Sequence, residues 1–435
     1  MEQKTLVDLG MARETTMMVD SMLPVHIRDT VTLDHDIDGA LLAQAWERTK
    51  RVYPIIDAQA GYDRDLSTYR EAGGFRTFPH DHAYLVEAEG GESVPLESEV
   101  PVAPGSAAAG GRLLCLSYCG RSITLSCYHA VVDGGGTLKI LSTLVYCYLA
   151  LYTGHEDEHP VVELREGRGV EEYYTTLNRA FAFAQPYEPS PLYTVPYDTL
   201  GFRDADMVRG GTSSVPVAHS GSMDVSASDF MRLCKSSGAN PSAMLCALLA
   251  RVTFDLNPEE ATDVVFEVTL SMRDAFGIGD SIANAVGTAL AYATRSGLES
   301  SSLAEVARRI RADVTSQRGA DYYVSYQRVF SMYDRKKLFE SRTVTYRGVF
   351  DIGENNVHVT DFFCETAGIE SVYLTQLNDR FVLTVQHGLA TDKYLHGFAR
   401  LFDELGIQAT ITHPTYEVAA ESNVPVRPNN LEEQS

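Results

Sequence analysis

The spacing of apolar positions changes along the chain from a period of two to one of about 3.6 and back, and each change marks an element. Residues 23–32 alternate as a strand does. Asp38 then precedes a helix with Leu41, Leu42, Ala45, Trp46, Thr49 and Val52 on one side, stopped by Tyr53-Pro54. Strand-like pieces are expected at 67–69 and 83–87, and the Gly, Ala and Pro of 101–111 form a surface loop. A hairpin with arms at 112–118 and 122–128 turns around Gly120-Arg121. The helix after it presents Leu138, Leu141, Val145, Leu149 and Tyr152 at steps of three and four and ends at Gly154. From 155 to about 220 the chain is polar, with periodicity only around 170–184, and reads as the connection between two halves.

The second half opens with Ser226 and Asp229 in a capping pattern, before a helix closed by Gly238. Asn240-Pro241 starts another, rich in Ala and Leu, through 256. Residues 264–271 form a β-branched strand, 283–294 hold Asn284-Ala-Val-Gly287 and a further strand-like run, and 303–317 an amphipathic helix bearing Arg308, Arg309 and Arg311. Strands are expected at 342–349, 357–364, 371–377 and 380–386, the last two a hairpin around Asn378-Asp379, followed by His387 and a helix over 392–405. Beyond Thr412 the chain is polar and proline-bearing and is expected to form a tail.

This order predicts an α/β protein, an α+β two-layer sandwich in type. At 435 residues it exceeds the usual single core, so two lobes are expected at 1–200 and 201–420, with 421–435 as a disordered tail. The halves end their sheets alike. Each has a hairpin, a histidine at the end of the second arm, small residues, an aspartate and an amphipathic helix: His129 and Asp133 in one, His387 and Asp392 in the other.

Charge and cysteine content narrow the function classes. A formal charge of -23 argues against nucleic acid or an anionic membrane as partner, since both require clustered Lys and Arg. Seven scattered cysteines suggest neither a disulfide framework nor a zinc site. With no basic-then-apolar start and no eighteen-residue apolar run, a cytoplasmic, soluble monomer is the expectation.

The stretch Tyr128-His129-Ala130-Val131-Val132-Asp133-Gly134-Gly135-Gly136 sets an imidazole and a carboxylate between a strand and a helix, in a loop held by rigid elements, where chemistry is commonly placed. A metal reading lacks a third ligand at useful spacing, and the Gly-x-x-x-x-Gly-Lys-Ser/Thr order of a phosphate loop is absent from 134–139. The spacing His-x-x-x-Asp-Gly in this setting resembles the active-site motif of the chloramphenicol acetyltransferase-like superfamily, which includes peptide-synthetase condensation domains and alcohol acyltransferases. The similarity extends over roughly 20–410: the helix ending Arg51-Val-Tyr-Pro54, the helix within 238–256, Ser271-Met-Arg273, Asn284-Ala-Val-Gly287 and the closing hairpin and helix fall in the expected order.

The resemblance implies two lobes of that fold in a V, a central tunnel with His129 in it, and acyl transfer from acyl-coenzyme A or a phosphopantetheine carrier, with no metal and no bound cofactor. Two departures stand out: condensation domains usually carry another His where Tyr128 stands, and the Asp-Phe-Gly-Trp-Gly segment of the plant enzymes is missing. The resemblance also implies that Asp133 fixes the loop by pairing with an Arg, for which Arg273 is the candidate, rather than holding the imidazole as a triad carboxylate does. Gly134 to Gly136 would let the backbone turn tightly beneath the ring.

The chemistry follows from the residue types too. A neutral imidazole can accept the proton of an alcohol or amine attacking a thioester, an assistance worth roughly 10²–10⁴-fold. The oxyanion donor is open among Thr137, Ser271 and Asn284, with Asn284 preferred because its segment would face the cleft. His387 lacks an Asp-Gly at the required place and is expected to pack, while Arg308, Arg309 and Arg311 are expected to form a solvated helix face. Tyr322, Tyr323 and Tyr326 could line an acyl pocket or simply pack. The alternative to an enzyme is a catalytically silent protein that binds a carrier protein or ligand without turnover.

Overall fold

The computed structural model describes residues 5–8, 26–62, 83–88, 93–129, 131–174, 218–259, 263–319, 321–322, 342–367, 371–387 and 391–418. In chain order the first half holds β1 (Thr5–Asp8), β2 (His26–Leu33), α1 (Gly39–Val52), β3 (Ala58–Tyr62), β4 (Ala83–Glu87), β5 (Leu96–Glu97), β6 (Leu114–Cys119), β7 (Ser122–Tyr128) and α2 (Gly134–Thr153). The second holds β8 (Ala218–Ser226), α3 (Ala227–Ser237), α4 (Pro241–Leu256), β9 (Val264–Ser271), α5 (Arg273–Phe276), β10 (Val286–Ala293), α6 (Arg295–Ser300) and α7 (Leu303–Ser316). It continues with β11 (Arg342–Phe350), β12 (Val359–Ala367), β13 (Ser371–Leu377), β14 (Arg380–His387), α8 (Lys393–Glu404) and β15 (Ala409–Val418). The fold is α/β, as the alternation of periods predicts. The expected strand at 67–69, the tail from 421, residues 175–184, Tyr323 and Tyr326 lie outside the described residues.

Local chemistry sets the helix boundaries. The carboxylate of Asp38 accepts from the amides of Ala40 and Leu41 at the start of α1, and Asn240 accepts from Ala243 at the start of α4. Ser302 and Glu305 close a reciprocal capping box on α7, and Gly154 and Gly238 end α2 and α3 in left-handed backbone. α2 is apolar enough to cross a membrane by length and composition, yet residues 140–150 are all buried, which makes it a core helix packed on α1.

The strands form three sheets, in the orders β1-β4-β3, β12-β2-β7-β6-β5 and β10-β9-β11-β13-β14-β8-β15. The repeated corner is present in both larger sheets. β2 lies beside β7 as β8 lies beside β14, and the hairpins β6-β7 and β13-β14 run into α2 and α8. Five strands differ from expectation: β1, β3 and β5 fall where no element was expected, and β8 and β15 in stretches read otherwise. β8 starts at the end of the polar connection and runs on to the Ser226 cap through residues given no element, because in Ala-His-Ser-Gly-Ser-Met-Asp-Val-Ser only Met223 and Val225 alternate clearly. β15 runs through the expected tail as an edge strand beyond β8, with register slips on both sides of His413 that accommodate Pro414.

The two halves share one sheet. β12 comes from the second half in sequence but pairs antiparallel with β2 along its length, from Val359 opposite Leu33 to Ala367 opposite His26. Phe362 of β12 is fully buried and meets Phe350 of β11 at a ring separation of 4.9 Å. Phe362→Ala should therefore lower stability by about 3–5 kcal/mol. Trp46, the single tryptophan, is buried in the first half. The urea midpoint read from its fluorescence should fall together with that read from far-UV circular dichroism, whereas two separate transitions would show that the halves unfold independently.

Candidate active site

β7 ends at Tyr128, whose ring is buried and meets the ring of His26 edge-on at 6.2 Å. Burial, reinforced by the nearby Arg28 charge, lowers the His26 pKa to about 4, so this imidazole is a neutral core group. A tight turn, in which the Val131 amide donates to the Tyr128 carbonyl, then carries the chain past the partly exposed His129. The loop is gripped from outside by a bridge between Val132 and Ala283, by the Asn284 amide on the Val131 carbonyl and by the Tyr174 hydroxyl on the same carbonyl at 2.7 Å.

Asp133 caps α2 and is fully buried. One carboxylate oxygen accepts from the Gly136 amide (2.9 Å) and Arg273 Nη2 (2.7 Å); the other accepts from Arg273 Nη1 (2.9 Å) and the Ala285 amide (2.8 Å). A carboxylate has about four lone-pair sites, so none remains for an imidazole. Arg273 is equally engaged, with Nε on the Ser281 carbonyl and Nη2 also on that of Ala283. Burial alone would raise the Asp133 pKa, but the Arg273 charge and the hydrogen bonds outweigh it and bring the group below its ordinary value.

A second buried pair, absent from the sequence-based expectations, holds the same helical turn. Arg347 Nη2 donates to Asp29 (2.7 Å), to the Gly134 carbonyl (2.9 Å) and to Thr137 Oγ1 (2.9 Å), while Thr137 itself donates to Asp29 at 2.6 Å. Burial disfavours the Arg347 charge, but Asp29 overcomes this and raises the pKa above the usual arginine value. Arg347 reaches inward because β11 bulges there: its register against β13 skips from Tyr346 to Gly348, and Gly348 has φ 95°.

The glycines serve close approach rather than a left-handed turn, since Gly134, Gly135 and Gly136 are not among the positive-φ residues. A Cβ on Gly136 would lie 2.2 Å from the Ile282 carbonyl oxygen, and one on Gly134 would lie 2.6 Å from Arg347 Nε. The side chain of Asn284 donates to the main-chain carbonyl of His129 at 2.8 Å and lies 3.4 Å from its Nδ1. His387 is buried at the end of β14 with its ring 5.6 Å from that of Tyr394. Its counterpart aspartate, Asp392, accepts from the Thr415 amide instead of capping its own helix.

Beside the imidazole lies a cavity of about 230 Å³, lined by His129 and Lys139 from the first half and by Thr269, Ser271, Thr345 and Tyr346 from the second. It is larger than the roughly 150 Å³ engineered cavity that admits benzene. Thr269 donates to Thr345 at 3.1 Å, whereas no hydrogen bond among the described residues engages the Ser271 hydroxyl.

No family model matches the sequence, and the comparison with curated proteins finds no relative. Solved structures do match over nearly the whole chain. Polyketide synthase associated protein 5 from Mycobacterium tuberculosis is 14% identical with a TM-score of 0.65, over 92% of this chain and 98% of that one. F. sporotrichioides TRI101 complexed with coenzyme A and T-2 is 12% identical with a TM-score of 0.60, over 93% and 99%. The starter condensation domain of rhizomide synthetase in complex with C8-CoA is 14% identical with a TM-score of 0.57, over 92% and 94%. The chain has the chloramphenicol acetyltransferase-like fold. In this fold the segment after β7 contributes His129 to the cavity wall, with both buried ion pairs behind it.

Removing one partner of such a pair leaves a buried charge, so Arg273→Met should cost about 3–5 kcal/mol in urea unfolding. The sign of the pH effect follows from the depressed Asp133 pKa. The folded state holds that proton less tightly than the unfolded chain, so the contribution is present above the ordinary value of 3.8 and disappears as pH falls through the folded pKa. Native protein should accordingly lose stability more steeply below that pH than Asp133→Asn, measured as unfolding midpoint against pH.

Proposed function

We propose that the protein is an acyltransferase that moves an acyl group from a thioester, acyl-coenzyme A or an acylated phosphopantetheine carrier, to a hydroxyl or amine acceptor, with His129 as general base. The observation that carries this reading is the imidazole on the wall of a cavity between the halves, on a loop fixed by buried ion pairs. The likeness to coenzyme A and acyl-coenzyme A complexes supports it at the level of fold. An acidic surface gives an acidic carrier protein little electrostatic attraction.

His129 takes the proton from the acceptor as its oxygen or nitrogen attacks the thioester carbonyl. The tetrahedral intermediate collapses with cleavage of the carbon–sulfur bond, and the imidazolium returns the proton to the departing thiolate. Direct transfer needs no covalent enzyme intermediate. Asp133, Gly134 and Arg273 act as positioning residues, since the Asp133 carboxylate is saturated by donors other than the ring. Asn284 falls to the same role, because its amide holds the His129 carbonyl, and Thr137 is tied to Asp29. Ser271 remains as the oxyanion donor.

Purified protein should transfer acyl groups within a panel of acyl-coenzyme A donors and alcohol or amine acceptors. His129→Ala should lower kcat by roughly 10²–10⁴-fold. Ser271→Ala should lower it by roughly 10²–10³-fold with little change in KM, as expected of a contact made in the transition state. Activity of His129→Ala equal to that of the native protein would remove the base assignment.

A further inference from the structure

The side chains around the cavity are unlike the rest of the chain in charge. The protein has 59 acidic and 36 basic residues, yet among the described residues the titratable ones lining the cavity are His129, Lys139, Arg273, Arg347, Tyr346 and Tyr373, with no Asp or Glu. Two of the three cations are compensated from behind, Arg273 by Asp133 and Arg347 by Asp29. Lys139 is not. It is the sole charged residue in α2, its Nζ donates to the Gly279 carbonyl at 2.7 Å, and among the described residues no carboxylate lies within ion-pair distance of it.

The two carboxylates whose charges act on Lys139 are both engaged elsewhere, Asp280 with Arg168 and Asp133 with Arg273. Burial and then the Arg273 charge lower the Lys139 pKa, as expected for an ammonium with incomplete compensation. A partly desolvated cation of this kind is stabilised by an anion brought to it. The cavity is below the roughly 300–1,000 Å³ of a drug-sized site, so the anion is carried by a small group rather than a nucleotide.

We propose that one of the two reacting partners bears a carboxylate that pairs with Lys139 in the same cavity as His129, making Lys139 a specificity-determining residue for acidic substrates. The carboxylate belongs either to the acyl group, as in a dicarboxylic monothioester, or to the acceptor, as in a hydroxy acid. This rests on the acyltransferase reading for the identity of the partners but not for the presence of the anion subsite.

The donor arm of the test compares succinyl-coenzyme A with butyryl-coenzyme A, which differ by a carboxylate in place of a methyl group, by calorimetric binding to the full-length protein. The acceptor arm compares 4-hydroxybutyrate with 1-butanol as acceptors of an acetyl group from acetyl-coenzyme A. In one arm the native protein should favour the acid by about 10- to 100-fold. Lys139→Met should remove that preference and Lys139→Arg should retain most of it, with thermal unfolding of both variants confirming that they fold. Equal handling of acid and neutral partner in both arms, or a preference that survives in Lys139→Met, overturns the proposal. Binding that depends on Lys139 without any transfer would uphold the subsite and reject the acyltransferase reading instead.

Discussion

The position of the catalytic candidate depends on two buried ion pairs that meet on one turn of helix. Asp133 to Arg273 and Asp29 to Arg347 bring together β2, the start of α2, the start of α5 and the bulge in β11, and all four side chains are buried. Such pairs contribute little net stability over apolar packing, because desolvating the charges nearly cancels their attraction. Their geometry is nonetheless strict. Any drift of the 133–137 turn would break several charge-assisted hydrogen bonds at once, and the cost of an uncompensated buried charge confines the turn to one arrangement. Since the partners come from both halves, the loop is correctly formed only when the halves are docked.

This division of labour explains how His129 can be oriented without a carboxylate of its own from the motif. The aspartate four residues later is fully occupied by two amides and a bidentate guanidinium, so it fixes the backbone while Asn284 holds the His129 carbonyl. Orientation is thus imposed on the main chain at both ends of a five-residue loop. The imidazole itself stays partly exposed at the cavity, where an acceptor can reach it.

Local rules in the sequence accounted for what local physics decides. Asp38, Asn240 and Ser226 cap helices because their side-chain oxygens reach amides two or three residues on, and the His129 corner followed from a change of period. Residues acting over long sequence separation were less visible. Arg347 sits in a β-branched strand and turns inward only because β11 bulges against β13, a register event that no single strand encodes. β15 has a proline and a polar pattern that β8 tolerates at an edge. The affiliation of β12 with the first sheet depends on which strand edge is left open. Lys139 did leave a signal, a single charge in a twenty-residue apolar helix, but period alone marks that face as core.

The same isolated charge bears on how an acidic protein could handle an acidic substrate. At physiological ionic strength the Debye length is about 8 Å, so the surplus of surface carboxylates is largely screened from the interior of the cavity. What an anion meets inside is the local set of groups, and two of the cations there already belong to ion pairs whose aspartates lie behind the wall. The remaining field is that of Lys139, strengthened by its partly desolvated surroundings. The buried pairs therefore have a second consequence beyond holding the loop: by neutralising Arg273 and Arg347 they leave one cation to determine which small acids are favoured next to His129.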